Sequence, residues 1–541
     1  MTPIDWTILA FYLVFIVGMS WWIGRRQRSQ EDYYLGGRSM PSWQIALSVM
    51  ATQVSAISLI GAPAFIALRS GGGLVWLQYE FAIPLAMMLI MLVLVPIYHQ
   101  TRAVTIYEYL ERRFGSATRT TISLVFLVSR GLGSGVALLA TGIVTAVCLN
   151  WPLPETILLI GLVSLLYTTF GGIVADIYSD ILQLIILWSG ALVAIFVLLA
   201  ELGQLAPPEG WFHLLTAETV RLRVFDFSAT GLGDGKTFSF WPMLFGGFFL
   251  YLSYYGCDQS QAQRLLTTRT PRGAQRALVM NGLLRFPLVL TYSAVGILLI
   301  PFLKLHPTLA GRLQGQPPDF LVPYFLIDYM PKGLLGLLIA GIFAASMSSL
   351  DSAMNSLSAA TYKDFLVKLF PALDGISDRR QVWLSRWLTV FWGAVATGFA
   401  LLMIGGSETV LELVNKIGSA FYGPILATFW LGMLTRRTPQ GGAIAGLLAG
   451  VAVNIFLWQA FGTAVSWMWW NLIGFAVAYV VGLGAALLAP ARLNAEQSAL
   501  VLNRADWRKY AGNPRYYAYL AAGFLGILVI SWGIQRFLAG F

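Results

Sequence analysis

The chain has 541 residues, of which 57% are hydrophobic and 11% are charged, and its formal net charge is +10. Its mean hydropathy is +0.71. Soluble globular proteins carry about 25% charged residues, so this composition excludes a protein with an aqueous surface on all sides. The basic residues lie in short segments between apolar runs, which is typical of membrane topology and not of nucleic-acid binding.

Apolar stretches of about 20 residues recur along the chain, and each is long enough to cross ~30 Å of hydrocarbon. Because lipid offers no hydrogen-bond partners to the backbone, these stretches must be helices. We predict an all-α integral membrane protein of about fourteen transmembrane helices, at residues 4–24, 41–66, 74–98, 119–147, 155–173, 178–201, 239–262, 276–302, 333–361, 382–405, 409–436, 440–462, 467–489 and 517–538.

The distribution of basic residues predicts the orientation. Alternate loops, such as those with Arg112 and Arg113 or Arg436 and Arg437, hold most of the 35 Lys and Arg residues. Such loops are cytoplasmic, which predicts that both termini lie outside the plasma membrane, or the inner membrane in a bacterium. Two cysteines and three scattered histidines predict neither a disulfide framework nor a transition-metal site.

The second predicted helix is rich in small and hydroxylated residues between Ser48 and Ser58, and Pro63 follows. A helix interrupted here would free backbone carbonyls near the middle of the membrane, as transporter sites require. Close packing of small residues against another helix explains the same pattern equally well.

The ninth predicted helix gives a sharper signal. Ala345, Ser348, Ser349 and Ser352 follow the spacing i, i+3, i+4, i+7 and share one face, with Asp351 beside them. Sodium is a hard cation that binds hydroxyl and carbonyl oxygens. Serines also pack helices together, but three aligned hydroxyls and an acid in one span favour an ion site.

Ionisable groups inside spans cost several kcal/mol, so they usually mark a pathway or a site. The further examples are Glu80, Asp180, Asp258, Arg285 and Lys416. One interpretation is that they pair with one another and only hold the bundle together. In the other, Asp180 is the most sodium-like, and Glu80 and Lys416 are the most substrate-like.

Several motifs together resemble the sodium/solute symporter family, over about residues 5–450. Gly171-Gly172-Ile-Val-Ala175 after an apolar run is similar to the first signature of that family. Gly432-Met433-x-x-x-Arg437-x-x-x-x-Gly442-Ala443-x-x-Gly446 fits its second signature at every fixed position. The serine-rich ninth helix and Gln259 with Gln263-Arg264 also look familial.

The resemblance implies a leucine-transporter-type core of ten helices in two inverted repeats, within one membrane domain. The repeats would be residues 41–201 and 239–436, with the helix 4–24 before them and three helices in 440–541 after them. The second and seventh spans would then be the broken helices.

The resemblance also implies site residues. The principal sodium site would use backbone carbonyls of Ala51, Val54 and Ala345 and the hydroxyls of Ser348 and Ser349. Asp180 and Ser352 match ligands of a second ion in members that carry two sodium ions. Asp351 stands where those members commonly have a hydroxyl, so it is compatible with a second sodium ion, a proton or an ion pair with Lys416.

In the substrate pocket, Glu80 resembles the galactose-binding glutamate of a bacterial sodium/sugar member. Other polar positions of that sugar site differ here, so galactose does not follow from the resemblance. The predicted pocket comprises Gln53, Ser58, Glu80, Asp258, Gln259 and Lys416.

These observations predict a sodium-coupled secondary active symporter that imports a small polar solute by alternating access. The solute would be a sugar, a polyol or a carboxylate-bearing molecule. Apart from sodium and the lipid bilayer we expect no cofactor, no nucleic acid, no obligatory protein partner and no enzymatic activity. The alternatives are a proton-coupled carrier and, in a different class, a sensor or channel with the same fold.

Overall fold

The computed structural model describes residues 1–53, 56–205, 210–216, 218–405, 410–462, 464–503 and 511–539. Its long helices are α1 (Pro3–Gly24), α2a (Ser42–Gln53), α2b (Ala56–Ala67), α3 (Leu74–Thr101), α4 (Ser116–Leu149), α5 (Leu153–Leu205), α6a (Gly247–Cys257), α6b (Gln259–Leu266), α7 (Pro271–Leu305), α8 (Leu334–Leu369), α9 (Asp378–Leu402), α10 (Val410–Leu434), α11 (Gln440–Phe461), α12 (Trp467–Leu488) and α13 (Pro514–Ala539). Within these ranges, ten helices are long and apolar enough to cross a membrane, and the α2 pair makes eleven if it is one bent span. The predicted all-α membrane fold is confirmed.

Helix α5 contains two membrane passes. Its 53 residues would extend about 80 Å at 1.5 Å per residue, far more than the ~30 Å of a bilayer core. The chain bends at Gly172, where φ is 54° and ψ is −164°. A β-carbon at Gly172 would lie 2.7 Å from the carbonyl oxygen of Tyr33, so the bend needs glycine. This second pass brings the count from eleven to twelve within the described residues. The other two predicted passes correspond to the positions of α6 and α9.

Helix α8 lies at the centre of the bundle. In its most apolar window 83% of the residues are buried, against 22%, 28% and 17% for α11, α12 and α13. It packs against α1, α4, α5 and α9. Lipid tails can cover an apolar helix surface as well as protein does, so the last three helices lie at the periphery without a solvation penalty.

An ion-pair cluster, here termed the Arg119 clamp, joins the start of α4 to the end of α8. Arg119 Nε donates to Asp364 Oδ1 over 2.7 Å, and Ser123 Oγ donates to Asp364 Oδ2 over 2.5 Å. Arg119 also reaches Glu111 in the surface helix Tyr107–Phe114 over 2.6 Å. Partial burial would raise the pKa of Glu111, but hydrogen bonds from Lys368 and Arg119 lower it below its ordinary value.

Candidate functional site

Two broken helices contribute to a central cavity. The axes of Ser42–Gln53 and Ser58–Ala67 differ by 53°. The second break separates α6a from α6b at Asp258, which has the extended backbone angles φ −84° and ψ 126°. The Asp258 side chain caps α6b by accepting hydrogen bonds from the backbone N–H and the hydroxyl of Ser260 at 2.8 and 2.5 Å. The prediction that the second and seventh spans are broken is confirmed.

The central cavity has a volume of about 210 Å³. Aromatic rings form much of its wall, with Trp76 and Tyr79 of α3 on one part and Tyr254 and Tyr422 on another. These rings pack in pairs with centroids 5.6 and 5.8 Å apart. A liquid water molecule occupies about 30 Å³, so the cavity has room for roughly seven waters or one small organic solute.

Buried ion pairs surround the cavity. Arg285 of α7 donates from Nε to Glu80 Oε2 over 2.8 Å and from Nη2 to Oε1 over 3.4 Å. Its third nitrogen, Nη1, is buried without a hydrogen-bond partner. Arg285 lines the cavity and Glu80 does not, so Arg285 is the member of this ion pair that a solute would meet.

A second arginine also lines the cavity. Arg130 of α4 has its Nη1 3.8 Å from Asp258 Oδ2, and its buried Nε has no hydrogen-bond partner. An arginine donor left without an acceptor in the interior is costly, so the cavity wall favours a solute that supplies acceptors. The sequence patterns gave Arg285 no role beyond pairing and assigned none to Arg130, although each is an arginine inside a span.

The other predicted substrate residues differ in position. Gln53 and Ser58 line the cavity, as does Asp258. The Tyr255 hydroxyl donates to Gln53 Oε1 and thereby ties α6a to α2a. Gln259 does not line the cavity, because its amide pairs with the Ile106 N–H and the Val104 carbonyl at 2.9 and 3.0 Å.

Helix α10 contributes Asn415 and Ile417 to the cavity wall, whereas the half-buried Lys416 between them is not part of it. In the structure, Glu80 pairs with Arg285 and not with Lys416.

Asp351 accepts two hydrogen bonds. The donors are the Tyr167 hydroxyl and, over 2.5 Å, the Ser352 N–H.

The predicted sodium ligands lie on α2a and α8, which pack together beside the cavity. Ala51, Ala345 and Ser348 are buried, and the half-buried Ser349 lines the cavity. Val54 falls outside the described residues. The small side chains on both helices allow their backbones to approach closely.

Asp180 is the acceptor of a dense polar cluster below this position. Ser48 Oγ and Arg264 Nη2 donate to its Oδ2 over 2.5 and 2.9 Å, and the Ser348 hydroxyl donates to its Oδ1. Arg264 also donates from Nε to Ser48 Oγ over 2.8 Å and from Nη2 to the Ser352 hydroxyl. The arginine and the aspartate are fully buried, so α6b, α2a, α5 and α8 meet in one charged network.

Two broken helices around a central cavity, with an oxygen-rich helix beside it, define a secondary active transporter of the leucine-transporter type. The model of the sodium:solute symporter family matches residues 33–450, and the chain belongs to this family.

Curated relatives cover most of the chain. It is 29% identical to the sodium/iodide cotransporter of Homo sapiens, over 97% of this chain and 81% of the relative. It is also 29% identical to sodium-coupled monocarboxylate transporter 2 of Bos taurus, over 85% of this chain and 73% of the relative. The chain is therefore a sodium-coupled symporter of small solutes and not an enzyme.

Solved structures support the fold. A substrate-bound, outward-open sodium-coupled sialic acid symporter is similar with a TM-score of 0.80 and 23% identity, over 91% of this chain and 100% of that one. A closed nucleobase-cation-symport-1 family transporter is similar with a TM-score of 0.51 and 14% identity, over 87% and 97%.

Proposed function

We propose that this symporter imports a small organic anion with a carboxylate group, and that Arg130 and Arg285 hold that carboxylate. The observation that carries the proposal is that Arg130 and Arg285 both line the cavity and that each has one buried guanidinium nitrogen without a hydrogen-bond partner. A guanidinium presents its donors as a planar fork that matches the two oxygens of a carboxylate. A polyol supplies acceptors too, but its hydroxyls do not match the planar fork of a guanidinium as the two oxygens of a carboxylate do.

The acids close to these arginines are already engaged. Both carboxylate oxygens of Glu80 accept hydrogen bonds from Arg285. Asp258 accepts two hydrogen bonds from Ser260 with its Oδ1. The solute therefore supplies the acceptors that the protein lacks, and the aromatic wall covers its apolar part. Curated relatives named for monocarboxylate and iodide transport are consistent with an anionic solute.

We propose that the principal sodium ion binds to the carbonyls of Ala51, Val54 and Ala345 and to the hydroxyls of Ser348 and Ser349. Sodium bound there would join α2 to α8 next to the solute, which supports reciprocal coupling between ion and solute binding. A second ion site at Asp180, Asp351 and Ser352 stays a prediction. The proposed location is the plasma membrane, or the inner membrane of a bacterium, with both termini outside.

The sodium site predicts the effect of Ser349→Ala. Removing one hydroxyl ligand of a cation costs about 1.5 kcal/mol, so the half-saturating sodium concentration for uptake should rise about tenfold. Sodium titrations of uptake into proteoliposomes measure this. The matched control is Ser346→Ala on the same helix, where the hydroxyl donates to the Ile342 carbonyl over 2.8 Å. Identical sodium curves for Ser349→Ala and wild type would contradict the site.

The carboxylate site predicts the effect of Arg130→Gln. Hydrogen bonds to charged groups contribute about 1.5–3 kcal/mol, so KM for the anion should rise between about ten- and hundredfold. Uptake of labelled propionate, lactate and pyruvate, driven by a sodium gradient, tests the wild type first. Uptake of none of these would overturn the proposal.

The specific readout is discrimination between an acid and its neutral amide. Lactate and lactamide have the same shape, so wild type should prefer lactate and Arg130→Gln should lose most of that preference. Arg130→Lys keeps the charge without the planar fork and should recover part of it. An equal loss of affinity for lactate and lactamide would show that Arg130 does not recognise the carboxylate.

A further inference from the structure

A second cavity lies on the side of the molecule that the basic loops predict to be cytoplasmic. Its volume is about 690 Å³, against about 210 Å³ for the central cavity. Three chain segments form its wall: the turn before α2a, the end of α3 and the loop between α6b and α7. The charged residues of this wall are Glu31, Arg38, Arg102 and Arg269. None of the residues that line the central cavity belongs to it.

The wall of this cavity has a net positive charge. Its three arginines face a single acid, Glu31, so two positive charges are left without a counter-charge in the wall. Arg102 and Arg269 are exposed, and neither forms an ion pair with any residue that the structure describes. An anion with two negative charges would therefore complement the cavity.

Arg38 is held in place by hydrogen bonds. Its Nε donates to Glu31 Oε1 over 2.8 Å, and its Nη2 donates to the carbonyls of Arg102 and Ala103 over 2.9 Å each. These carbonyls lie where α3 ends and lack helical partners of their own. No described residue accepts a hydrogen bond from Arg38 Nη1, so this nitrogen remains available to a ligand.

Two of the arginines have an uncommon backbone conformation. The angle φ is 51° at Arg38 and 48° at Arg102, in the left-handed region that residues with a β-carbon seldom adopt. Such conformations persist only where surrounding contacts impose them, and they cluster at functional sites. Here the turns at these two residues accompany the placement of both arginines in one wall.

The start of α7 adds to the positive potential. Pro271, the first residue of this 35-residue helix, also lines the cavity. The N-terminus of a long helix carries a partial positive charge, which favours an anion nearby. The dipole of α7 and the arginines therefore act in the same direction.

We propose that this cavity binds a doubly charged phosphate group from the side predicted to be cytoplasmic, and that the bound phosphate holds the ends of α2a, α3 and α6b together. Guanidinium groups present planar forks of donors that match phosphate oxygens. A phosphate monoester carries a charge of about −1.5 to −2 at pH 7, which complements the two remaining cations, whereas a monocarboxylate carries only one charge. A soluble phosphate compound and the headgroup of phosphatidic acid both present this group.

The three segments are already joined next to the cavity. The Met40 N–H, just before α2a, donates to the carbonyl of Thr267, just after α6b, over 3.1 Å. The Thr268 hydroxyl lies 3.4 Å from His99 Nε2 at the end of α3. A phosphate that contacts the three arginines would add a bridge across the same junction. Because alternating access moves such elements apart, an occupied cavity would oppose opening on this side.

Direct binding tests the site without any transported solute. The full chain, in nanodiscs of phosphatidylcholine, is titrated with pyrophosphate at constant ionic strength by calorimetry. Arg102→Gln and Arg269→Gln should each raise the Kd about fivefold, and the double variant should raise it by more than about tenfold. The matched control is Arg379→Gln, an exposed arginine of a predicted cytoplasmic loop that does not line the cavity. Its Kd should equal that of the wild type.

Glu31→Gln should change the affinity in the opposite direction. It removes the one acid of the wall and leaves all three arginines, so the Kd for pyrophosphate should fall about threefold. Damage to the fold weakens binding and cannot produce this result. Thermal unfolding of each variant establishes that the protein remains folded.

Hydrogen–deuterium exchange tests the bridge between the segments. Pyrophosphate should slow exchange of the Met40 amide in the wild type, because it hinders the local opening that exposes this amide. The double arginine variant should show no such protection. The same measurement in nanodiscs that contain phosphatidic acid, without pyrophosphate, distinguishes the sources. Protection there identifies the lipid headgroup as an occupant, and protection by pyrophosphate alone identifies a soluble phosphate compound.

Three results would overturn the proposal. The first is neither binding of pyrophosphate nor protection by phosphatidic acid in the wild type. The second is the same response to both probes in the folded double variant as in the wild type. The third is unchanged exchange of the Met40 amide when the probe is bound, which would remove the bridge. No transported solute enters these measurements, so their outcome is independent of the carboxylate proposed above.

Discussion

Arg264→Gln should destabilise the protein by about 3–5 kcal/mol, because it leaves the buried Asp180 carboxylate without its cation. The arginine and the aspartate are both 0% exposed, and their closest atoms are 2.9 Å apart. The same arginine also bonds Ser48 and the Ser260 carbonyl at 2.8 Å each. Its loss therefore removes the hydrogen bonds that hold α6b to α2a and α5. Thermal unfolding of the detergent-purified variant, with the yield of monodisperse protein, measures the effect.

The double variant Arg264→Gln with Asp180→Asn distinguishes a stranded charge from lost packing. Removing both charges should restore much of the stability, because no uncompensated ion then remains in the interior. Arg276→Gln, at an exposed position on the first turns of α7, is the control for loss of a cation and should unfold like the wild type. A stable Arg264→Gln, or a double variant no more stable than the single one, would contradict this account.

Arg285→Gln should abolish measurable anion uptake. The substitution removes the donors proposed for the carboxylate and strands Glu80, which is 1% exposed. Loss of the charged hydrogen bonds alone corresponds to about a hundredfold lower kcat/KM. The stranded acid should in addition destabilise the fold by about 3–5 kcal/mol. Uptake and thermal unfolding should therefore be measured on the same preparation.

Combining Arg285→Gln with Glu80→Gln separates the two effects. The neutral pair keeps a hydrogen-bonding contact between α3 and α7 and should restore stability. Because the guanidinium is still absent, transport of carboxylates should remain lost. Recovery of both stability and carboxylate transport would mean that Arg285 serves only to neutralise Glu80.

The helical architecture could be predicted from the sequence because its causes are local. Each pass is a run of apolar residues, and the small residues of α8 form a short pattern. The break in the seventh span was implied only by the resemblance to the symporter family. Which buried charges pair with each other could not be predicted from the sequence. Glu80 and Arg285 lie 205 residues apart, and Arg264 and Asp180 lie 84 apart. Their pairing depends on how each helix is rotated within the bundle, which hydropathy does not determine.

Asp176 illustrates the same limit. It follows directly on the Gly171–Ala175 motif, and in sequence it resembles an acid near the end of a span. Its complete burial and the lack of a hydrogen-bond partner for either carboxylate oxygen are tertiary properties, which the sequence does not display. Its i, i+4 spacing from Asp180 was a signal that could have identified it, since two acids on one face inside a membrane are costly.

The Arg119 clamp has a mechanical consequence for transport. Because it ties α4 to α8, we expect the two helices to move together. Arg130 lies about 16 Å along α4 from Arg119, and Ser349 lies about 22 Å along α8 from Asp364, at 1.5 Å per residue. A solute bound at Arg130 and a sodium ion bound at Ser349, as proposed, would therefore act on the same pair of helices. Through this pair of helices, sodium binding and solute binding can influence each other without direct contact between the ion and the solute.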